Sequence, residues 1–328
     1  MKAMKVQNPG KNSSLTIGEV PTPTPDSHEL LVKIKATALN RADLMQRTGN
    51  YPPPEGASNI LGLEIAGIVE KTGGKVTKWE AGDRVFGLLA GGGYAEYCTI
   101  HKKMAMSIPN DLSFNEAAAI PETFLTAFQS LEWLGKLQTK ETVLIHAGGS
   151  GVGTSAIQLA RQLYDAQIIT TAGKQHKLDT AKELGADLTY NYKTQNYAEK
   201  IKNDAGPESV DLIIDFVGKP YWHKNMEILG MDGRVVYLSF LGGHKIDEPS
   251  LIPILRKRLT VMGSTLRSRS LDYKASLTKD FAEHCLPLFN KGILSPVIDS
   301  TYDWENTEEA HLRMQDNKNT GKIILTGM

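Results

Sequence analysis

The sequence predicts an α/β protein of two domains: a partly closed β-barrel built from both ends of the chain, and a doubly wound parallel sheet inserted between them. Three observations predict it. Residues 1–120 hold short strands punctuated by Gly and Pro. From 142 onward strands and helices alternate at the spacing of βαβ units, which impose parallel pairing and right-handed crossovers. After 263 the mixed pattern of the first part returns. The domains are therefore expected at 1–120 with 264–328, and at 121–263.

Leu30 to Leu39 alternates as a half-buried strand does. Before it, Pro21, Pro23 and Pro25 exclude helix and central strand. Residues 50–58 (NYPPPEGAS) form a loop by composition. Leu61–Glu70 reads as a strand with glycine bulges, and Gly82–Gly87 as a turn and strand. Residues 115–120 and 123–133 are helix-like. The inserted region predicts strands at 142–146, 167–171, 187–190, 211–215, 233–238 and 259–263. Its helices are expected near 151–163, 174–184, 194–204, 220–229 and 249–257. A helix near 276–290 and strands at 297–301 and 322–326 close the chain.

Composition removes several function classes. Lys plus Arg and Asp plus Glu are both 37, so no net field points to nucleic acid. The basic group Arg256, Lys257, Arg258, with Arg267 and Arg269, reads as a solvated helix end, although an RNA contact is the alternative. Two cysteines, Cys98 and Cys285, exclude a disulfide framework and a cysteine-rich zinc lobe. The N-terminus has no apolar signal segment and no apolar run reaches membrane-spanning length, so a cytoplasmic location is expected.

The strand Val143–Ile145 runs into Gly148, Gly149, Gly151 and Gly153, and an apolar-periodic helix follows. Strand, glycine turn, helix is the context of a dinucleotide-binding turn. Backbone N–H groups there can approach a pyrophosphate, and the helix start favours its charge. Ser150, Gly151, Val152 and Gly153 are the expected contacts. An NAD-preferring site places an acid about 20 residues past such a turn. Here the strand end reads Thr170-Thr171-Ala172-Gly173-Lys174, with no acid, and Lys174 and Lys177 supply positive charge. This predicts NADPH over NADH, with Gly173 and Lys177 beside the 2′-phosphate.

The segments ATALNRADLMQRTGNYPPPEGASNILGLEIAG, IPETFLTAFQ, VLIHAGGSGVGTSAIQLA and NKNTGKIIL resemble the medium-chain dehydrogenase/reductase superfamily. Within it they are similar to the zinc-free quinone oxidoreductases, the zeta-crystallin group, and to the damage-inducible NADPH:quinone oxidoreductases among them. The resemblance covers essentially the whole chain. It implies a GroES-like barrel, a Rossmann domain, a cleft between them for NADPH, and a homodimer paired through strand 233–238 or 259–263. The places of two of the superfamily's zinc ligands correspond to Asn40 and Leu63, and that of the third falls near Glu122. Leucine cannot ligate and asparagine ligates poorly, so no metal is expected.

The resemblance also implies site residues. Tyr51 would stand beside the nicotinamide and donate a hydrogen bond to a quinone oxygen, its alternative role being to pack the proline loop. Asn40 would face the nicotinamide, or else be a satisfied amide at a strand end. Thr126 would lie against the nicotinamide ribose, and Tyr192 would contact the adenosine phosphate. Ser239, Phe240, Leu241 and Gly242 would pass under the nicotinamide half, as would Ser264, Thr265 and Leu266. Phe124 reads as core that could reach the cleft. The expected activity is hydride transfer from NADPH to a small-molecule quinone. Two alternatives stay open: NADPH-dependent reduction of an activated C=C bond in a 2-alkenal or enoyl substrate, and a non-catalytic NADPH-binding protein, structural or RNA-associated.

Overall fold

The computed structural model describes residues 1–328, which fall into two compact units: Met1–Leu125 with Leu266–Met328, and Thr126–Thr265. The boundaries lie beyond the expected 120/121 and 263/264. The reason is local. Phe124 and Leu125 are buried with the first unit, and Leu266 is assigned to it as well.

The first unit begins with an antiparallel hairpin, β1 (Lys2–Gln7) and β2 (Ser14–Glu19). Then come β3 (Glu29–Ala38), α1 (Arg41–Arg47), β4 (Glu64–Thr72), β5 (Arg84–Leu88), β6 (Tyr97–His101), β7 (Ala105–Ser107), α2 (Phe114–Ala118) and α3 (Pro121–Phe128). β3 is long enough to serve two partners along one edge. Residues 29–33 pair with β6, and 36–38 pair with the C-terminal strand β15 (Lys322–Thr326). The opposite edge pairs antiparallel with β4. Buried and exposed positions alternate only partly, since most of β3 is covered on both faces.

The second unit is the predicted alternating array: β8 (Thr142–Ile145), α4 (Gly151–Tyr164), β9 (Gln167–Ala172), α5 (Gln175–Glu183), β10 (Leu188–Asn191), α6 (Tyr197–Asp204), β11 (Val210–Asp215), α7 (Trp222–Ile228), β12 (Leu229–Tyr237), α8 (Ile252–Arg256) and β13 (Thr260–Gly263). The six strands are parallel in the order β10-β9-β8-β11-β12-β13. The order reverses between β8 and β11, so the loops leaving those two strands flank the crevice where such sheets bind ligands. The strands are apolar runs because helices cover both faces. A core of Leu144, Ile169, Ile213, Val235, Tyr197 and Met226 joins sheet to helices. β12 has a partner on each side, so residues 233–238 are not an edge; of the two segments expected to pair in a dimer, only β13 is an edge strand. The helix expected at 249–257 is confined to Ile252–Arg256, started by Pro253.

The chain returns to the first unit with α9 (Leu271–Asn290), β14 (Ile298–Asp303), α10 (Thr307–Gln315) and β15. No helix is long and apolar enough to cross a membrane.

Candidate active site

In the second unit, the glycine turn is shaped by close packing. A Cβ on Gly148 would stand 2.1 Å from Thr170 Oγ1, and one on Gly153 would stand 2.4 Å from the Ala147 carbonyl. Gly149 is covered by the stem of Lys177, 2.7 Å from where its Cβ would be. Side chains are thus excluded from the turn, and Ala147 before it takes a left-handed φ of 52°. Ser150 is the N-cap of α4, its Oγ accepting from Gly153 N at 3.0 Å. The N–H groups of Gly151 and Val152 have no intrahelical acceptor and stay available to an anion. These residues fit a dinucleotide pyrophosphate.

Two of the residues expected near the adenosine phosphate, Gly173 and Tyr192, lie against each other. A Cβ on Gly173 would lie 2.8 Å from the Tyr192 hydroxyl, so glycine is what lets Tyr192 close over the end of β9. Tyr192 in turn meets the Tyr221 ring edge-on at 6.1 Å. At the other side of the crevice, Asp215 accepts the N–H groups of Val217 and Gly218 and so folds the loop after β11. That loop bonds to the predicted 239–242 segment: Leu241 N donates to Phe216 O at 3.0 Å and Gly242 N to Val217 O at 2.8 Å. Ser239 opens this segment. Phe240 rests on Tyr237, 5.4 Å between centroids. Ser264 is buried, its N–H bound to Tyr237 O at 2.9 Å, and Thr265 ends the unit. Thr126 begins it, half-buried on α3, its carbonyl accepting the Ser130 hydroxyl.

A buried hydrogen-bond chain that the sequence did not reveal underlies both loops. Tyr221 bonds Thr171, and Thr171 Oγ1 lies 2.9 Å from His146 Nδ1. His146 Nε2 lies 2.9 Å from Asn225 Oδ1, which also accepts Tyr197 OH. Asn225 Nδ2 donates to Asp215 Oδ2 at 2.8 Å. That last bond fixes the amide orientation, so His146 Nε2 carries the proton and Nδ1 accepts from Thr171. Burial lowers the His146 pKa, so the ring is neutral and the chain runs one way, toward the Asp215 carboxylate.

In the first unit the site gathers around an ion pair. Lys322 Nζ and Glu64 Oε1 are 2.7 Å apart, with side chains 4% and 0% exposed. The ammonium spends its other hydrogens on Leu39 O and Asn40 Oδ1, both at 2.7 Å. Asn40 Nδ2 donates to Glu64 Oε1 at 2.8 Å and to Ala38 O. The Asn40 amide is therefore fully engaged within the protein, which favours the satisfied-amide alternative over a group aimed at a ligand. Asn40 also caps α1, where its N–H donates to Asp43 Oδ2 at 2.8 Å. Asp43 accepts Gly62 N and Tyr94 OH, and burial pushes its pKa up to about 6.

Tyr51 is half-buried. The Arg267 guanidinium lies 5.3 Å from its ring centroid. Arg267 donates to Ala90 O at 2.8 Å, Gln46 Oε1 at 2.7 Å and Tyr51 O. It is 4% exposed, so it is no part of a solvated basic patch; it ties down the Tyr51 loop. Two further members of that group are engaged within the protein. Lys257 binds three carbonyls, those of Met226, Glu227 and Leu229, and Arg258 pairs with Asp232. Burial raises the Tyr51 pKa, helped by Glu122, so the phenol keeps its proton. Phe124 packs edge-on against Phe289 at 5.0 Å and is fully buried, so it lines no cleft.

The places of the superfamily's metal ligands do not fit a zinc ion. Leu63 is 1% exposed in the core, the Asn40 amide is spent on Glu64 and Lys322, and Glu122 stands alone. No three His, Cys, Asp or Glu side chains converge in a way that could hold a metal.

Comparison with known proteins accords with this geometry. Residues 26–110 match the alcohol dehydrogenase GroES-like domain, and residues 151–283 match the zinc-binding dehydrogenase family. The chain is 30% identical to the human quinone oxidoreductase over 99% of its own length and 97% of that protein's. Among solved structures it superimposes on Escherichia coli quinone oxidoreductase complexed with NADPH (TM-score 0.88, 27% identity, 99% of each chain). It also superimposes on the CurK enoyl reductase (TM-score 0.86, 27% identity, 99% of this chain and 98% of that one). With a GroES-like first unit, a six-stranded parallel sheet and quinone oxidoreductase relatives along its full length, the chain belongs to the medium-chain dehydrogenase/reductase superfamily.

Proposed function

We propose that the chain is an NADPH-dependent oxidoreductase that reduces quinones without a metal. The observation that carries this reading is the contrast at the old metal site. The ligand places have become a leucine, a committed amide and a lone carboxyl, while the Tyr51 phenol stays protonated and uncommitted. The acid-free end of β9, with Gly173, Tyr192 and Lys177, supports NADPH, as does the likeness to NADPH-complexed relatives. NADPH, when bound, supplies the hydride. The second unit would hold the pyrophosphate at Ser150–Gly153 and the remaining cofactor along Gly173, Tyr192 and 239–242. Tyr51 would donate a hydrogen bond to the acceptor oxygen as negative charge develops there. A quinone is electron-poor enough to need orientation more than a Lewis acid.

A second reading, reduction of an activated C=C bond, is favoured by the likeness to an enoyl reductase and needs the same groups. A kinetic grid of NADPH and NADH against an ortho-quinone, a para-quinone and a short enal separates the two. Quinone turnover with NADPH above NADH is expected. Faster enal turnover selects the second reading, and NADPH binding without turnover makes the protein a non-catalytic binder. Stoichiometric zinc in the purified protein would overturn the metal-free reading. Tyr51→Phe should lower kcat while NADPH affinity barely moves. The free edge of β13, with Val261 and Leu255 exposed beside it, supports a homodimer through that strand. A monomer in sedimentation at micromolar concentration would exclude it.

A further inference from the structure

Hydride transfer to a carbonyl or conjugated carbon leaves an anion that must take a proton, and among the carboxyls around Lys322 one has no partner of its own. Glu122 sits in the first turn of α3, its backbone N–H donating to Glu64 Oε2 at 2.8 Å. Its side chain is half-buried and makes no hydrogen bond or ion pair. The nearest buried cation cannot serve it, because Lys322 has spent all three hydrogens on Leu39, Asn40 and Glu64. The groups whose charges it feels come from every element around it: Glu64 on β4, Asp43 on α1, Lys322 on β15, Arg267 after the first-unit boundary, Lys274 on α9 and the Tyr51 phenol. Arg267 and Lys274 have no carboxylate partner. Arg267 binds neutral acceptors, and Lys274 Nζ reaches only Arg267 O, at 3.3 Å.

We propose that Glu122 is the acid of this site, giving its carboxyl proton to the acceptor after hydride arrives, a role that rests on the oxidoreductase reading above. Electrons and atoms balance. The hydride brings two electrons and one hydrogen to the acceptor, the Glu122 O–H bond breaks, and its proton completes the reduced product. The carboxylate left behind is received by Arg267 and Lys274, and water returns the proton. Burial, and then the Glu64 charge, push the Glu122 pKa up to about 8, so the group is loaded at neutral pH. Tyr51 is the complementary donor: its phenol, which burial keeps protonated, orients the oxygen.

The test compares wild type, Glu122→Gln and Glu122→Asp across pH 6–10. Wild-type kcat should fall above pH about 8. The Gln variant should lose about 100-fold in kcat and lose that alkaline limb, while a burst of NADPH oxidation persists and NADPH affinity is unchanged. The Asp variant should recover both rate and limb. Independently, a glutamate carboxyl observed by 13C NMR in the NADPH complex should titrate near 8 and be absent from Glu122→Gln. A Gln variant with wild-type kcat, or one slowed but keeping the alkaline limb, overturns the assignment, as does a Glu122 titration in the ordinary carboxylate range. If wild type turns over no acceptor, the oxidoreductase reading itself fails, which is a different result from an active wild type with an indifferent Gln variant.

Discussion

The polar interiors of the two units are built on opposite principles. Under the nucleotide turn, His146, Thr171, Asn225 and Tyr221 form a chain of neutral groups that drains toward one carboxylate, Asp215, and every member has a partner. In the barrel unit, charges crowd together: Glu64, Asp43 and Glu122 share a region in which Lys322 pairs with only one of them. The neutral chain costs little and gives direction, because each bond fixes the orientation of the next. The charged cluster is expensive to bury, and its surplus leaves a carboxyl protonated and a phenol unspent. Satisfied groups position; unsatisfied ones are free to react.

The largest effect should come from removing the charge that holds the barrel cluster together. Lys322→Met would strand Glu64 at 0% exposure and should cost about 3–5 kcal/mol in a denaturant titration. A loss under 1 kcal/mol would mean that the pair is not the centre of that unit. Asn225→Leu should cost less, about 1–3 kcal/mol, by leaving Asp215 Oδ2 and His146 Nε2 without partners. It should also weaken NADPH binding, because Asp215 folds the loop that supports 239–242. Binding unchanged in a destabilised variant would show that the chain serves stability alone.

The smallest effect is a slope with pH. Glu122, raised from 4.5 to about 8, keeps its proton in the folded state after the unfolded chain has released it. Folding stability should therefore decline as pH rises through this window. Asp43 adds the same sign up to about 6, and His311, lowered by burial to about 3, the opposite sign below 6.5. His146 and His101, also lowered by burial, share the sign of His311, so Glu122 dominates only from about pH 7.5, one unit above the ordinary histidine value. The decline there should be a fraction of ~1.4 kcal/mol per pH unit, and Glu122→Gln should flatten it. A slope identical in that variant would place the titrating group elsewhere.

What could be read from sequence was local. The strand, glycine turn and helix at 143–163 are contiguous, and their periodicity and turn chemistry are visible within one window. The order of strands in the sheet is not a local property, which is why 233–238 was expected at an edge and lies inside. The charged cluster was illegible for the same reason. Glu64 and Lys322 are 258 positions apart, and Arg267 and Gln46 are 221 apart. No pattern along the chain marks such pairs. Arg267 looked like one more surface cation because its neighbour Arg269 is one. Glu122 was visible only as the place of a missing ligand. That its carboxyl stands alone becomes apparent once Lys322 is seen to be saturated.

Leu63 has a consequence for how this chain can change. A histidine there would enter a packed core without an acceptor arranged for it, and a cysteine at 40 would take from Lys322 an oxygen and from Glu64 a donor. Either change alone harms the fold before any ion can compensate, and the third ligand at 122 would have to arise as well. A zinc site built at these three places would therefore need several substitutions together, because the present packing and hydrogen bonding accommodate none of them singly.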